Sequence, residues 1–200
     1  MTKISVIYYS ATGNLHKMAE AIGEGASDLG AEVRVRRVAE LAPAESIEQN
    51  PKWAEHLAWA TENVEVATLD DLEWADGIAL GSPTRFGLPA AQLKQLLDQS
   101  GGLWFKGAMI DKVVTAFTSA STTHGGVEST TLALLNTAYH WGSIVLPLGY
   151  TDDIVKAAGN PYGSSFVSQK GSSPDEQALA VARFQGTRLA KVSGALLAGS

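Results

Sequence analysis

The chain has 200 residues, of which 45% are hydrophobic and 18% charged, a composition typical of a globular domain that excludes a disordered chain. Fifteen Lys and Arg against 21 Asp and Glu give a formal net charge of -6, which argues against nucleic-acid binding and against attraction to anionic membranes, because both depend on cationic contacts. The sequence contains no cysteine, which excludes disulfides, thiolate metal sites and cysteine nucleophiles.

The first predicted element is a strand at residues 4–9, rich in Ile, Val and Tyr as expected of a strand covered on both faces. This apolar run is too short for a signal peptide. No stretch of the chain approaches the ~18 consecutive apolar residues of a membrane-spanning helix. We therefore expect a cytoplasmic protein without integral membrane association.

Strand and helix patterns then alternate to the end of the chain. Apolar residues recur at helical spacing from Leu15 to Leu29, and Gly30 follows as a stop signal. Val33 and Val35 alternate with arginines, which indicates a strand nearer the sheet edge. The other elements are predicted as strands at residues 77–81, 112–117 and 143–146, and as helices at residues 91–97, 128–141 and 175–197.

Five strands joined by helical crossovers imply an α/β fold with a mainly parallel sheet and helices on both faces. Ligands of such sheets bind at the carboxyl ends of the strands, so functional residues are expected just after each strand. Two segments are longer than this plan needs: an insertion at about residues 43–71, whose tryptophans suggest a helix, and a long polar loop at about residues 149–173. We expect residues 1–200 to form a single domain.

The loop after the first strand has the character of a phosphate site. Ser10, Thr12, Gly13 and Asn14 stand where the first helix begins, so backbone N–H groups and the positive end of the helix dipole point at one place. The loop holds no Lys or Arg, so a phosphate would be bound by neutral donors. The G-x-G-x-x-G and G-x-x-x-x-G-K-[ST] motifs are missing there, and no acidic pair follows the strand, which argues against dinucleotide-fingerprint, P-loop and receiver proteins. An ordinary helix N-cap is the alternative.

Six motifs in order resemble one family, the WrbA group of type IV NAD(P)H:quinone oxidoreductases, also described as tryptophan-repressor-binding-protein-like. They are YYSATGN at residues 8–14, GSPTRFG at 81–87, GGLW at 101–104, HGGVE at 124–128, PLGY at 147–150 and NPYG at 160–163. The resemblance covers nearly the whole chain except the insertion. It implies a flavodoxin-like three-layer sandwich with a five-stranded parallel sheet in the order 2-1-3-4-5.

The resemblance also implies an FMN site built from three segments. The phosphate loop contributes Ser10, Ala11, Thr12, Gly13, Asn14 and Leu15. The isoalloxazine ring is contacted by a turn that consists of Pro83, Thr84, Arg85, Phe86 and Gly87. The ribityl chain and the ring edge are surrounded by Ser119, Ala120, Ser121, Thr122, Thr123 and Gly125. The alternative for Arg85 is a solvated surface arginine, and the alternative for Phe86 is packing in the core. The third segment could instead be a capped loop without a ligand.

Two further residues receive roles by resemblance. Trp104, in a loop, covers a planar substrate above the flavin, and His140 lies near the flavin, from a neighbouring subunit in the expected homotetramer. The alternatives are a subunit contact for Trp104 and a structural hydrogen bond for His140. Thr12 departs from the group, which often has an aromatic residue there to stack on NAD(P)H. His16, His56 and His124 lack acidic partners at metal-ligand spacing, so no metal site is expected.

The expected activity is two-electron hydride transfer from NAD(P)H through FMN to a quinone, with both substrates using one site in a ping-pong mechanism. Two other functions stay open at this point. One is a flavodoxin-like electron carrier, and the other is an FMN-binding regulatory or interaction protein. The sequence has no basic stripe that would support a role at DNA.

Overall fold

The computed structural model describes residues 1–199, and its centre is a parallel β-sheet. Its five main strands lie in the order β2-β1-β3-β5-β6. They are β1 (Lys3–Tyr8), β2 (Glu32–Arg37), β3 (Gly77–Arg85), β5 (Val113–Ala120) and β6 (Ile144–Val145). When only these five strands are numbered along the chain, their order is 2-1-3-4-5, so the predicted order is confirmed. β2 lies at the edge of the sheet, as the alternation of valine and arginine indicated.

Two short strands were not predicted, so a sheet of only five strands is wrong. β4 (Leu88–Pro89) pairs antiparallel with the end of β3, and β7 (Ser165–Val167) pairs parallel with the end of β5. The two short strands can pair there because β3 continues past Gly81 and β5 continues past Phe117. The local sequence pattern predicts turns at these continuations. The Ser82 hydroxyl accepts a hydrogen bond from the Ala90 amide at 2.8 Å, which holds β4 and its hairpin against β3.

Nine helices surround the sheet within residues 1–199. They are α1 (Asn14–Ser27), α2 (Ala44–Glu48), α3 (Pro51–Asn63), α4 (Leu69–Trp74), α5 (Ala91–Gln99), α6 (Gly101–Phe105), α7 (Val127–Trp141), α8 (Asp153–Ala158) and α9 (Glu176–Gly199). Leu93 of α5 and Leu134 of α7 are buried in the core on one face of the sheet. Met18 of α1 and Leu189 of α9 are buried in the core on the other face. This is the expected sandwich of three layers.

The two long segments both contain regular structure. The insertion holds α2 and α3 and the start of α4; Asn50 caps α3, with its side chain accepting from the Trp53 amide, and Pro51 takes the first helical position. The segment at residues 149–173 holds α8, β7 and a single 3-10 turn, Gln169–Gly171, so its description as a plain loop is wrong. It is ordered because Asp152 caps α8 and the side chain of Val155 is buried against Leu148.

The register of the sheet brings the ends of three strands to one edge. Tyr8 of β1 pairs with Gly81 of β3, and Pro83 of β3 pairs with Ser119 of β5. The segments that follow these strands are therefore neighbours in space, although about 110 residues separate the first from the last in the chain. In the part of the chain that is described, no helix is long and apolar enough to cross a lipid bilayer.

Candidate functional site

A cavity of about 270 Å³ opens at this edge of the sheet. Its walls come from the ends of β1, β3 and β5, from the start of α1, and from two places that the sequence did not indicate. The lining residues are Ser10, Ala11, Thr12, Asn14, Leu15, Asn50, Trp53, Pro83, Thr84, Arg85, Ser119, Ala120, Ser121 and Ser168. The three predicted segments are therefore brought together around one space.

The phosphate loop presents the uncapped beginning of α1 to this cavity. Gly13 has φ 88° and ψ -12°, a left-handed conformation that other residues rarely adopt, and its amide donates to the Ser10 hydroxyl at 3.1 Å. Among the described residues no side chain caps α1. The first N–H groups of this helix therefore have no intrahelical partner and are available to an anion without a charged side chain.

The charge around the cavity agrees with a site of neutral donors at the loop. Arg85 is the one Lys or Arg among the lining residues that the structure describes, and it belongs to β3 rather than to the loop. The Asn14 side chain donates to the Ser172 carbonyl at 3.0 Å, and Lys17 donates to the Ser173 hydroxyl at 3.0 Å. These two contacts tie the start of α1 to the segment before α9.

The hairpin between β3 and β4 forms the second wall, and one hydroxyl holds it in place. Thr84 Oγ1 donates to the Gly125 carbonyl at 3.1 Å and accepts from the Gly87 amide at 3.1 Å and from the Thr130 hydroxyl at 2.9 Å. A Cβ atom on Gly126 would lie 2.7 Å from the Cα of Gly87, so the hairpin and the loop before α7 pack backbone against backbone.

Phe86 stands at the tip of this hairpin in a strained conformation. Its φ is 55°, in the left-handed region, and its side chain is fully exposed. The alternative of core packing for Phe86 is therefore wrong. An aromatic residue held in a costly backbone conformation and exposed next to the lining residues Thr84 and Arg85 is typical of a ligand or subunit contact.

The third predicted segment is partly strand and partly exposed loop. Ser119 and Ala120 belong to β5 rather than to the turn after it, because β7 extends the pairing there. Ser121 follows and lines the cavity. The side chains of Thr122 and Thr123 are exposed, and among the described lining residues neither they nor Gly125 appear.

The insertion contributes two lining residues that sequence reasoning missed, Asn50 and Trp53. The Trp53 indole donates to Glu40 Oε2 at 3.0 Å, and the Tyr9 hydroxyl, at the end of β1, donates to the same oxygen at 2.9 Å. The other oxygen of Glu40 accepts from Gln92 Nε2 at 2.6 Å and from the backbone amides of residues 41 and 42. One carboxylate thus joins α3 and α5 to the strand that carries the phosphate loop.

The ionisation of Glu40 fits this role. Burial by itself raises the pKa of the Glu40 carboxyl, but the hydrogen bonds from the Ala42 amide, Gln92, Tyr9 and the Leu41 amide outweigh it, so the pKa lies below its ordinary value. Glu40 is therefore a carboxylate at neutral pH. The only sequence signal that pointed to this wall was the pair of tryptophans in the insertion.

Trp104 and His140 lie outside this cavity in the described part of one chain. Trp104 is half-exposed and belongs to α6, so its prediction as a loop residue is wrong; the stretch 101–105 forms a helical turn directly after α5. His140 is exposed near the end of α7 and lines a separate groove of about 510 Å³ with Leu88, Pro89 and Lys94 among its walls.

Two histidines lie behind the phosphate loop. The Tyr8 hydroxyl is 2.6 Å from His16 Nδ1, and His16 Nε2 lies 3.3 Å from a Glu20 oxygen. The His56 ring packs 5.9 Å from the His16 ring, and a Cβ atom on Gly13 would lie 3.2 Å from His56 Nδ1. Burial lowers the pKa of His16, and burial followed by the positive charges of His16 and Arg37 lowers the pKa of His56 to about 4.

These shifts predict that the free energy of unfolding falls as the pH drops from about 6.5 towards 4. An unfolded histidine takes up a proton near pH 6.5, whereas His56 in the folded chain takes it up only near pH 4, so acid favours the unfolded state. Because the His56 ring is only half-buried, we expect it to contribute about 1 kcal/mol of this loss. Urea unfolding at a series of pH values measures it.

His56→Phe should make the free energy of unfolding less dependent on pH, since phenylalanine keeps the ring stack and removes the titrating imidazole. His124→Phe, at an exposed position, is the control and should leave the dependence as it is. If both variants show the same slope as the parent chain, His56 is not the group responsible.

Comparison with known proteins places this geometry among flavin enzymes. A family model described as NADPH-dependent FMN reductase matches residues 2–151. The chain is 42% identical over 205 residues to an NAD(P)H dehydrogenase (quinone) of Methylocella silvestris, covering 98% of this chain and 99% of that protein. It is 40% identical over 196 residues to a protein of the same name from Deinococcus radiodurans, covering 98% and 97%.

Solved structures show the same fold. A WrbA-like flavodoxin from Agrobacterium tumefaciens superposes with a TM-score of 0.67 and 28% identity, covering 98% of this chain and 99% of that one. An archaeal flavodoxin superposes with a TM-score of 0.62 at 20% identity, covering 96% and 99%, a likeness that concerns the fold alone. The predicted flavodoxin-like fold and the resemblance to the WrbA group are confirmed.

Proposed function

The chain belongs to the NADPH-dependent FMN reductase family, and from this premise we propose that it is an FMN-dependent NAD(P)H:quinone oxidoreductase. Two relatives of 40–42% identity over nearly the whole chain carry the name NAD(P)H dehydrogenase (quinone). The observation that carries the proposal is the cavity at the carboxyl edge of the sheet, with the uncapped start of α1 on one side and the β3–β4 hairpin on the other.

The chemistry of the cavity fits a flavin with a single phosphate. The free N–H groups at the start of α1, with the hydroxyls of Ser10 and Thr12, would hold the phosphate without a charged side chain. Ser119, Ser121 and Ser168 supply the short hydroxyls that a ribityl chain needs. These residues point to FMN rather than to a flavin dinucleotide.

The hairpin and the insertion would hold the ring. The backbone at residues 84–87 is fixed by the hydrogen bonds of Thr84, so its N–H groups are preorganised toward a flat heterocycle. Arg85 places a cation at this end of the cavity, and Trp53, fixed by Glu40, covers another side and excludes water. A flavin held there would supply two-electron chemistry, in which a hydride from NAD(P)H is passed on to a quinone and a proton from solvent completes the hydroquinone.

The proposal includes one shared site for both substrates. The nicotinamide and the quinone would occupy the same place over the ring in turn, and such alternation of two substrates at one place gives ping-pong kinetics. The nucleophiles and acids of other enzymes are not needed for such a transfer, because the cofactor carries the chemistry and the protein positions the reacting planes.

A reductive titration tests the proposed function. Flavin-free protein is titrated with FMN while fluorescence quenching is followed, and the loaded protein is then reduced with NADH without oxygen and mixed with a quinone. We expect tight FMN binding, bleaching by NADH in one two-electron step, colour return on quinone addition and parallel double-reciprocal plots. Slow or absent reduction by NADH, with a stable one-electron-reduced flavin when a one-electron donor is used, would indicate a carrier instead. Intersecting plots would contradict the shared site.

We also propose a homotetramer in which Trp104 and His140 reach the site of a neighbouring subunit. The half-exposed ring of Trp104, the exposed rings of Phe86 and Tyr139, and the groove beside His140 support this, since exposed aromatic side chains and apolar grooves are frequent at subunit contacts. Light scattering of the FMN-loaded protein would contradict the assembly if it gave a monomer.

Within one subunit we propose that residues 1–200 form a single domain. Two separate unfolding transitions would contradict the single domain.

A further inference from the structure

A second cavity, of about 720 Å³, continues from the first one past the phosphate loop. The two cavities adjoin, and both are lined by Thr12, Asn14, Asn50, Ser121 and Ser168. A volume of this size is within the usual range for a small-molecule site. A ligand that lies over the first cavity can therefore extend into the second without leaving the protein surface.

The outer wall of the second cavity is a face of α3 that carries a flat aromatic surface. Trp59 is 43% exposed, and its ring stacks on His56 at 5.8 Å between centroids with 25° between the planes. His16 supports Trp59 from the core side, edge-on at 4.7 Å. The indole is thus held by two rings, and its exposed part lines the cavity, where a planar ring can stack on it.

The charged groups of this wall are one cation and one anion. Lys52 lies one helical turn before His56 and donates to the Gly171 carbonyl at 3.4 Å, a long contact that leaves its charge available. Glu55 is exposed on the neighbouring turn. Hydroxyl and amide side chains, including Ser173 and Asn50, complete the lining. The set suits a ligand with a planar base, hydroxyls and a phosphate group.

Helix α3 is fixed well enough to act as a binding wall. At its start Trp53 is bound to Glu40, and near its end Arg37 Nε donates to the carbonyls of Ala60 and Val64, both at 3.1 Å. His56, in the middle, packs against Gly13 of the phosphate loop. Contacts along its whole length therefore preorganise the wall, which reduces the cost of ordering it on binding.

We propose that this second cavity binds the adenosine diphosphate half of NAD(P)H, with the adenine stacked on Trp59 and the pyrophosphate beside Lys52. The inference rests on the proposed function, because a dinucleotide whose nicotinamide reaches the flavin must place its other half beyond the first cavity. Thr12, a small residue, lines both cavities where they adjoin.

The test separates this subsite from the reaction by measuring binding of ADP alone. ADP is titrated by calorimetry into FMN-loaded protein and into the variants Trp59→Leu and Lys52→Ala. Glu62→Ala, an exposed residue of the same helix outside the cavity, is the matched control. We expect each of the first two variants to raise the Kd for ADP about 10-fold, as loss of one stacking or phosphate contact does. The control should bind ADP like the parent chain, and the Kd for FMN should be the same in all four proteins.

Steady-state kinetics give a second readout. The KM for NADH should rise about 10-fold in the two variants, whereas the KM for reduced nicotinamide mononucleotide, which keeps one phosphate but has no adenine, should stay the same in Trp59→Leu. Absence of ADP binding, or equal ADP affinity in all variants, overturns the subsite. ADP binding that depends on Trp59 and Lys52 without quinone reduction supports the subsite and overturns the proposed reaction. Quinone reduction with an unchanged KM for NADH in the two variants supports the proposed reaction and overturns the subsite.

Discussion

Thr12→Asp is expected to raise the Kd for FMN about 100-fold, because it places a carboxylate beside the phosphate. A phosphomonoester carries about -1.5 to -2 charges at neutral pH, and the loop offers it only neutral donors. At a separation of a few ångströms and the effective dielectric of a protein surface, repulsion of about 3 kcal/mol follows. Thr12 is exposed at the mouth of both cavities, so the substitution does not disturb the core.

Thr12→Asn is the matched control, since it has the shape of the aspartate without its charge. It should keep the Kd for FMN within a few-fold of the parent value, as measured by fluorescence quenching at low salt. Equal affinities for the two variants would mean that the phosphate does not lie at this loop. A charge at Gly13 would be a poorer test, because the positive φ and the nearby His56 ring add strain to any side chain there.

Gly186→Ala is expected to lower the free energy of unfolding by about 3 kcal/mol, as overpacking of a close contact does. A Cβ atom at Gly186 of α9 would lie 1.8 Å from the Ile22 carbonyl oxygen of α1. The reciprocal contact is as close, since a Cβ atom at Gly25 would lie 1.9 Å from the Arg183 carbonyl oxygen. The two helices touch through their backbones, so neither glycine can be replaced without moving a helix.

Gly101→Ala is the control for this stability prediction. Its added Cβ atom would meet no atom within 4 Å, and the residue belongs to a helix, where alanine is favoured. Urea unfolding should show this variant within about 0.5 kcal/mol of the parent chain or slightly more stable. A loss for Gly186→Ala no larger than that of Gly101→Ala would contradict the backbone contact between α1 and α9.

The carboxyl ends of β3 and β5 show where local pattern misled the prediction. The sequence Ser82-Pro83-Thr84 reads as a turn, because Ser and Pro are frequent turn residues. In the fold the chain stays extended, since the Thr118 hydroxyl donates to the Ser82 carbonyl at 2.7 Å and the Ser82 hydroxyl accepts from Ala90. Both partners come from other elements, so no window of sequence around residue 82 contains the reason.

The wall that α3 adds to the site also could not be predicted from local sequence. The tryptophans at residues 53 and 59 marked the insertion as helical, but not the direction of its faces. Trp53 reaches the first cavity because Glu40 binds its indole, and Trp59 reaches the second because His16 and His56 support its ring. The Trp53–Glu40 and Trp59–His16 pairs lie 13 and 43 residues apart, so these two contacts exist only after α3 has packed on the sheet, whereas His56 and Trp59 are neighbours on α3 itself.

The amino-acid sequence by itself determined the alternation of strands and helices, the edge position of β2 and the uncharged polar loop at Ser10 before α1, because each depends on periodicity or on the chemistry of adjacent residues. It also carried the ordered motifs from which the flavodoxin-like topology followed. Only the tertiary structure decided that Asn50, Trp53 and Ser168 line the cavity and that α1 and α9 meet at glycines. Such contacts join atoms distant in the chain, and the packing of whole elements, rather than any local preference, sets their distances.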